Sequence, residues 1–186
     1  MKKDLVEMVF ILDRSGSMGG LEKETINGFN SMIEKQREVK KDALISTVLF
    51  DNQFEVLHNR VDLKEVKLLT SKDYYVRGTT ALLDAIGRSI RKIVSIYRKM
   101  DAEEKPEKTI FVITTDGMEN SSMEFTYDDI KKTIEFQKQK FDWEFIFLGA
   151  NIDAINTASR FGISSDRAAN YHADKRGTSI HYEAIA

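Results

Sequence analysis

Short apolar runs of the kind that form buried strands recur along the chain, and two of them end directly in an aspartate. Residues 9–12, Val-Phe-Ile-Leu, precede Asp13, and residues 109–115, Thr-Ile-Phe-Val-Ile-Thr-Thr, precede Asp116. Runs without polar alternation are typical of a parallel sheet whose two faces are both covered. Because sites in such sheets form beyond the carboxyl ends of the strands, we expect Asp13 and Asp116 to converge there.

Helical patterns separate these runs. Apolar residues recur at helical spacing after the first run, in residues 21–33, and again from Thr80 to about Met100. The short turn between residues 43–50 and 54–57 predicts one antiparallel edge strand. We therefore expect an α/β, doubly wound, mostly parallel sheet of about six strands with helices on both faces. The remaining predicted elements are helices from Thr126 past Phe136, at 151–160 and from Thr178, and strands at 143–148 and 168–173.

Composition narrows the function classes. The 186 residues suit one domain, which we place at 1–186, and the net charge of -2 favours neither nucleic acid nor an anionic membrane as a partner. The chain has no cysteine, which excludes disulfides, thiolate zinc sites and a cysteine nucleophile. Without a membrane-length apolar stretch or a signal-peptide cleavage site, we expect a cytoplasmic protein.

Oxygen-bearing side chains cluster immediately after the first strand. Asp13 is followed by Ser15 and Ser17, which alternate around Gly16. Thr80, at the entrance to the long helix, and Asp116 complete the set. The five residues offer two carboxylates and three hydroxyls. Such oxygen ligands suit Mg²⁺ or Mn²⁺. The alternative for the first stretch alone is an ordinary Ser/Gly turn.

Three separated motifs resemble those of von Willebrand factor A domains, and the likeness is to small bacterial or phage members of that family. Residues 13–18, DRSGSM, resemble the first motif of the family's metal-ion-dependent adhesion site. Residues 77–86, RGTTALLDAI, resemble the threonine motif with Thr80 in register and Thr79 as the near alternative. Residues 114–120, TTDGMEN, are similar to the Thr-Asp-Gly motif.

This resemblance implies a Rossmann-like fold and protein binding that depends on a divalent cation, Mg²⁺ or Mn²⁺. It also implies a partner protein that offers an Asp or Glu to the metal. In bacteria it implies subunits that recruit partners, ATPases among them. The metal ligands that it implies are Asp13, Ser15, Ser17, Thr80 and Asp116.

Two other functions compete with a binding module. A metal-dependent phosphatase would use Asp13 as nucleophile, but such enzymes place a second acid two residues later, where this chain has Ser15. Nucleotide binding through residues 16–20 lacks both the Gly-Lys-Ser/Thr ending of a P-loop and the glycine spacing of a dinucleotide site. We therefore predict a binding module and no enzymatic activity.

The remaining polar candidates are weaker. Residues 74–77 contain two tyrosines and an arginine that either touch a partner or only pack the loop. For Glu119 we favour a solvated acid over a group that supports the metal ligands from behind, and we interpret Asp51 as a turn residue. The three histidines, His58, His172 and His181, show no metal-ligand spacing.

Overall fold

The structure is a computed structural model that describes residues 1–39, 41–150 and 152–171. Within those residues, six strands alternate with four α-helices. The strands are β1 (Lys2–Asp13), β2 (Asp42–Phe50), β3 (Phe54–Asp62), β4 (Pro106–Thr115), β5 (Glu144–Ala150) and β6 (Ala168–Tyr171). The helices are α1 (Glu22–Glu38), α2 (Leu82–Arg98), α3 (Tyr127–Phe141) and α4 (Ala154–Ser159). Short 3-10 turns lie at Gly16–Met18, Leu63–Glu65, Ala102–Glu104 and Ser165–Arg167.

The six strands form one sheet in the order β3-β2-β1-β4-β5-β6. All neighbours pair in parallel except β3, which runs antiparallel to β2 at the edge. The predicted doubly wound α/β architecture is therefore confirmed. Since the chain moves outward from β1 in one direction and then returns to β4, the strand order reverses between these two central strands. The crevice beyond their carboxyl ends is where such sheets place their sites.

Apolar side chains fill both faces of the sheet, which explains why its central strands contain continuous apolar runs. On one face, Phe10 of β1 packs edge-on against Phe29 of α1, with ring centroids 5.1 Å apart. On the other face, under α2 and α3, Phe111 stacks on Trp143 and on Phe145.

The structure confirms one predicted helix start and moves several other boundaries. The capping box of α3 is confirmed, with Thr126 and Asp129 each accepting the other's backbone amide. The helix predicted from residue 151 begins at Ala154, because Asp153 caps it. β3 is longer than the predicted 54–57, and α2 begins at Leu82, so Thr80 lies in the loop before the helix. The predicted last helix, His172 and His181 lie outside the described residues.

None of the helices in the part of the chain that the structure describes is both long enough and apolar enough to cross a membrane.

Candidate metal centre

Asp13 is the last residue of β1, and its carboxylate is held in place by its neighbours. Oδ1 accepts the amide of Ser15 at 2.8 Å, and Oδ2 accepts the hydroxyl of Thr115 on β4 at 2.7 Å. The Asp13 backbone carbonyl accepts the hydroxyl of the buried Tyr74. The side chain is completely buried, so its orientation is fixed by the fold.

Burial raises the pKa of the Asp13 carboxyl to about 6. Hydrogen bonds from Ser15 and Thr115 lower this pKa, and the neighbouring charge of Asp116 raises it. Across the described part of the chain, neither Asp13 nor Asp116 forms an ion pair with a cationic side chain. The two carboxylates therefore interact with each other without a protein cation to offset their charge.

The two serines of the first motif lie side by side. The hydroxyls of Ser15 and Ser17 are 3.0 Å apart; Ser15 is buried and Ser17 is exposed. The turn that carries them is fixed by a hydrogen bond from the Gly16 amide to the Gly78 carbonyl, at 3.0 Å. This bond connects the first-motif loop to the loop that precedes α2.

Thr80 is buried, and its backbone is anchored to the loop after β4. Its amide donates to Oδ1 of Asn120, and its carbonyl accepts the amides of Asn120 and Ser121. Its hydroxyl makes no hydrogen bond among the described residues. The neighbouring Thr79 is exposed and donates its hydroxyl to that of Ser121. Of the two threonines, Thr80 is thus the buried residue, and its hydroxyl is the unengaged one.

Asp116 follows β4 directly and is nearly buried, with 7% of its surface exposed. Its Oδ1 accepts the amide of Met118 at 3.0 Å, which closes a tight turn after the strand. The preceding Thr115 accepts the amide of Gly117 while donating to Asp13. One threonine hydroxyl therefore connects the carboxylate of the first strand with the turn that carries the second.

The predicted ligand residues thus lie on three loops that hydrogen bonds join to one another. The donor set consists only of oxygens, and it combines two carboxylates that lack a protein cation with a threonine hydroxyl that makes no hydrogen bond among the described residues. That chemistry fits Mg²⁺ or Mn²⁺.

Comparison with known proteins relates this architecture to solved structures. No protein-family model and no curated protein matches the chain. The manganese-loaded TRAP protein of Plasmodium vivax matches 100% of the chain over 74% of its own length, with 15% identity and a TM-score of 0.67. A von Willebrand factor type A protein from Catenulispora acidiphila matches 96% of the chain over 42% of its own length, with 14% identity and a TM-score of 0.61.

The pilus adhesin SpaC of Lactobacillus rhamnosus GG matches 98% of the chain over 29% of its own length, with 11% identity and a TM-score of 0.69. The chain spans less than half the length of several of the proteins it matches, including the Catenulispora acidiphila protein and SpaC. At these identities the likeness concerns the fold.

The chain has the von Willebrand factor A fold.

Several residues that support the loops of this von Willebrand factor A fold were missed by the sequence analysis. Gly78 has a φ of +65°, and a Cβ there would lie 2.3 Å from Oδ1 of Asn52 and 2.7 Å from Oδ2 of Asp51. Only glycine fits this approach. Asp51 does accept the amide of Gln53 in its turn, but it is also buried and forms an ion pair with Arg77 at 2.9 Å.

The interpretation of Glu119 as a solvated acid is wrong. Its Oε1 accepts the amide of Leu83 in the first turn of α2, where helix amides lack an internal partner, and its Oε2 accepts the amide of Ser122. Asp84, on the same turn, accepts the amides of residues 123–125. No local sequence signal marks the contact of Glu119 with Leu83 or those of Asp84, because each joins residues more than thirty positions apart.

In the loop of residues 74–77, one tyrosine is buried and the other is exposed. Tyr74 is buried, whereas Tyr75 is 47% exposed and covers the guanidinium of the buried Arg14, 4.2 Å from its ring centroid. Arg14 also donates to the Tyr75 carbonyl and pairs with Glu55. The exposed side of Tyr75 is therefore available beside the first-motif loop.

Proposed function

We propose that this chain is a protein-binding module that depends on a divalent cation. Mg²⁺ or Mn²⁺ is held by Asp13, Ser15, Ser17, Thr80 and Asp116 and accepts an Asp or Glu from a partner protein. The observation that carries this proposal is the pair of buried carboxylates, Asp13 and Asp116, next to each other at adjacent strand ends with no protein cation among the described residues. The manganese-loaded TRAP structure and the pilus adhesin, which share the fold, support it.

The bound cation supplies a positive centre that attracts a carboxylate from outside. With two acids and three neutral hydroxyls around it, the ion keeps more positive character than one surrounded by three or four acids. The chain's own residues hold the geometry: Ser15 and Thr115 orient Asp13, and Asn120 positions Thr80. Ser17 is exposed and so lies on the side that a partner can approach.

Apolar side chains beside this site offer further contacts to a partner. Met118 is 48% exposed and Met123 is 95% exposed on the loop after β4. The loop backbone is nevertheless fixed, because Asp84 accepts the amide of Met123 and Glu119 accepts that of Ser122. A fixed loop presents its side chains at a lower entropy cost on binding. We therefore propose that the partner carries apolar residues next to its acid.

We propose no hydrolytic activity. Both oxygens of Asp13 accept hydrogen bonds, and the residue two positions later is Ser15, whose hydroxyl contacts that of Ser17. An acid/base group beside the supposed nucleophile, which a phosphatase needs, is not present at that position. Turnover of a general phosphatase substrate that is lost in Asp13→Asn would contradict this proposal.

Titration calorimetry with Mg²⁺ and with Mn²⁺ tests the metal site directly. Thr80→Val removes the unengaged hydroxyl and keeps the shape of the side chain, and we expect it to weaken metal affinity roughly tenfold or more. Thr79→Val is the matched control, and we expect unchanged affinity because its hydroxyl faces Ser121. The opposite result would identify Thr79 as the ligand, and unchanged affinity in both would exclude the threonine motif.

Partner binding is measured separately with Mg²⁺, with a chelator and with Asp13→Ala. We expect binding only in the wild type with Mg²⁺. Asp101→Ala is the control, since Asp101 is exposed and directly precedes the 3-10 turn before β4, at the opposite end of the sheet. Equal affinity in all samples would mean that the metal site is not the binding site. Loss of binding together with unfolding in a thermal melt would mean that the cation is structural.

A further inference from the structure

Arg77 lies on the segment between β3 and α2, beside the candidate metal centre. Its backbone amide donates at 2.8 Å to the carbonyl of Arg14, the residue that follows Asp13. The next residue, Gly78, accepts the amide of Gly16 at 3.0 Å. These two bonds attach the segment to the first-motif loop, so Arg77 borders the place where we propose that the cation binds.

An ion pair with Asp51 holds the guanidinium of Arg77 in one position. Its Nε donates to Oδ2 of Asp51 at 2.9 Å, and its Nη2 donates to Oε1 of Gln53 at 3.3 Å. The Asp51 side chain is only 2% exposed, whereas that of Arg77 is 38% exposed. The positive end of this ion pair therefore faces solvent.

The Arg77 guanidinium keeps N–H groups for a further acceptor. An arginine side chain carries five N–H donors. The bonds to Asp51 and Gln53 use two of them, and the side chain makes no other hydrogen bond within the residues that the structure describes. Because the guanidinium is planar and presents its donors as a fork, its remaining N–H groups suit the two oxygens of a carboxylate.

A second arginine–acid pair beside Arg77 is oriented the other way. Arg14 is buried and donates to Glu55, which is 49% exposed, at 2.7 Å. The ring of Tyr75 lies close to both guanidinium groups, with its centroid 4.2 Å from Arg14 and 5.9 Å from Arg77. An ammonium group that approached this ring would meet both guanidinium groups beside the proposed metal ion. The surface around Tyr75 therefore favours a carboxylate over a cation.

We propose that Arg77 is a specificity-determining residue of the metal-dependent site and that it binds a second carboxylate of the partner segment. The partner carries two acids: one binds the cation, and the other, a few residues away, accepts the remaining N–H groups of Arg77. Because Asp51 already fixes the guanidinium, this contact costs little conformational entropy. The inference rests on the proposed function and adds a pair of acids as the feature by which the chain recognises its partner.

The first test uses short fluorescein-labelled Gly/Ser peptides and measures their affinity for the full chain in Mg²⁺ by fluorescence anisotropy. Each peptide has one Asp and, about two to four residues away on either side, a second Asp or a matched Asn. At the best spacing we expect the two-acid peptide to bind roughly fivefold more tightly than its Asn counterpart. A gain of at most about twofold at every spacing, which a second choice of metal ligand gives by itself, would overturn the proposal.

Lysine at the position of the second acid separates Arg77 from the other exposed charge nearby. We expect the lysine peptide to bind no more tightly than the Asn peptide, because two guanidinium groups lie beside Tyr75. Tighter binding of the lysine peptide would identify Glu55 as the group that the partner contacts, and the proposal would then be wrong.

The second test assigns the gain to Arg77. Arg77→Gln together with Asp51→Asn removes both charges of the pair, so that no buried carboxylate loses its cation. We expect this double variant to bind Mg²⁺ with unchanged affinity in titration calorimetry and to lose the preference for the second Asp. Arg98→Gln, the same change at the last residue of α2, is the control, and we expect it to keep the full preference. A preference that survives in the double variant, or that Arg98→Gln also removes, would contradict the proposal.

A further variant decides if the double variant does not fold. Arg77→Lys keeps a positive charge beside Asp51 but lacks the planar fork, so we expect it to retain only part of the preference. An undiminished preference in Arg77→Lys would count against the proposed carboxylate contact.

Failure of this inference and failure of the proposed function give different results. If no peptide binds more tightly with Mg²⁺ than with a chelator, the proposed function is wrong and the role of Arg77 falls with it. If binding depends on Mg²⁺ but the Asp and Asn peptides bind alike, only the role of Arg77 is wrong.

Discussion

Glu7 and Asp13 lie on the same strand, β1, and both side chains are completely buried, yet the fold treats their charges differently. Glu7 accepts Nη2 of Arg60 at 2.8 Å and its Nε at 3.1 Å, and it also accepts the hydroxyl of Tyr97. Asp13 receives only neutral donors and has the acid Asp116 as its neighbour. The chain therefore neutralises the acid in the middle of β1 with its own arginine and leaves Asp13, at the carboxyl end of the same strand, without a cationic partner among the described residues.

Arg60 reaches Glu7 across an intervening strand because of a local irregularity. It lies on β3, whose pairing with β2 shifts register near Thr47, and its φ is +52°. Its amide donates to the hydroxyl of Ser46, which holds the distorted backbone. An edge strand that bends in this way can aim a long side chain over its neighbour.

The largest effect should come from breaking the neutralised pair. Arg60→Ala leaves the charge of Glu7 buried without a cation, and we expect it to lower the free energy of unfolding by about 3 kcal/mol. Chemical denaturation measures this change. Arg88→Ala removes an exposed pair with Glu124, so it is the matched control, and we expect a change below about 1 kcal/mol.

Adding Glu7→Gln to Arg60→Ala should restore part of the lost stability, because the buried charge is then gone. If Arg60→Ala lowers the free energy of unfolding no more than Arg88→Ala does, the Arg60–Glu7 pair does not stabilise the fold. The contrast between Glu7 and Asp13 is then wrong.

The next effect tests the cation that we propose at Asp13, the other buried acid. We expect Mg²⁺ at one hundred times its dissociation constant to raise the free energy of unfolding by about 2.7 kcal/mol. Asp13→Asn should abolish this gain while changing the metal-free stability little. The amide keeps an acceptor for Ser15 and removes the repulsion from Asp116. Thermal melts with and without Mg²⁺ measure both quantities, and an equal gain in wild type and variant would place the cation elsewhere.

The features that could be predicted from the sequence are those set by hydrophobic periodicity and by the residues at strand ends. The apolar runs before Asp13 and Asp116 follow directly from burial on both faces of a parallel sheet, and the capping box at Thr126 follows from its local spacing. The structure brings the three predicted ligand loops together, while the metal itself stays a prediction.

The rest depends on contacts that local patterns do not encode. Three features join segments that are distant in sequence. They are the irregularity of β3 at Arg60, the cap of α2 by Glu119 and the close approach at Gly78. A charged residue in a short motif looks the same whether it is solvated or buried against a distant amide. Glu119 was therefore misread, and the role of Glu7 was not predicted.

The smallest expected effect comes from Tyr97, the second side chain that donates to Glu7. Burial and the nearby charge of Glu7 raise the pKa of Tyr97, so its hydroxyl remains a donor to the Glu7 carboxylate. Tyr97→Phe removes that donor and also removes the oxygen that accepts the hydroxyl of Thr109, 2.8 Å away. We expect a loss of about 1.5 kcal/mol in the free energy of unfolding, since bonds to charged groups are the stronger ones. In a Glu7→Gln background the same change should cost roughly half as much. An equal cost in both backgrounds would mean that Tyr97 acts through packing against Trp143 and Thr109, leaving Arg60 as the group that neutralises Glu7.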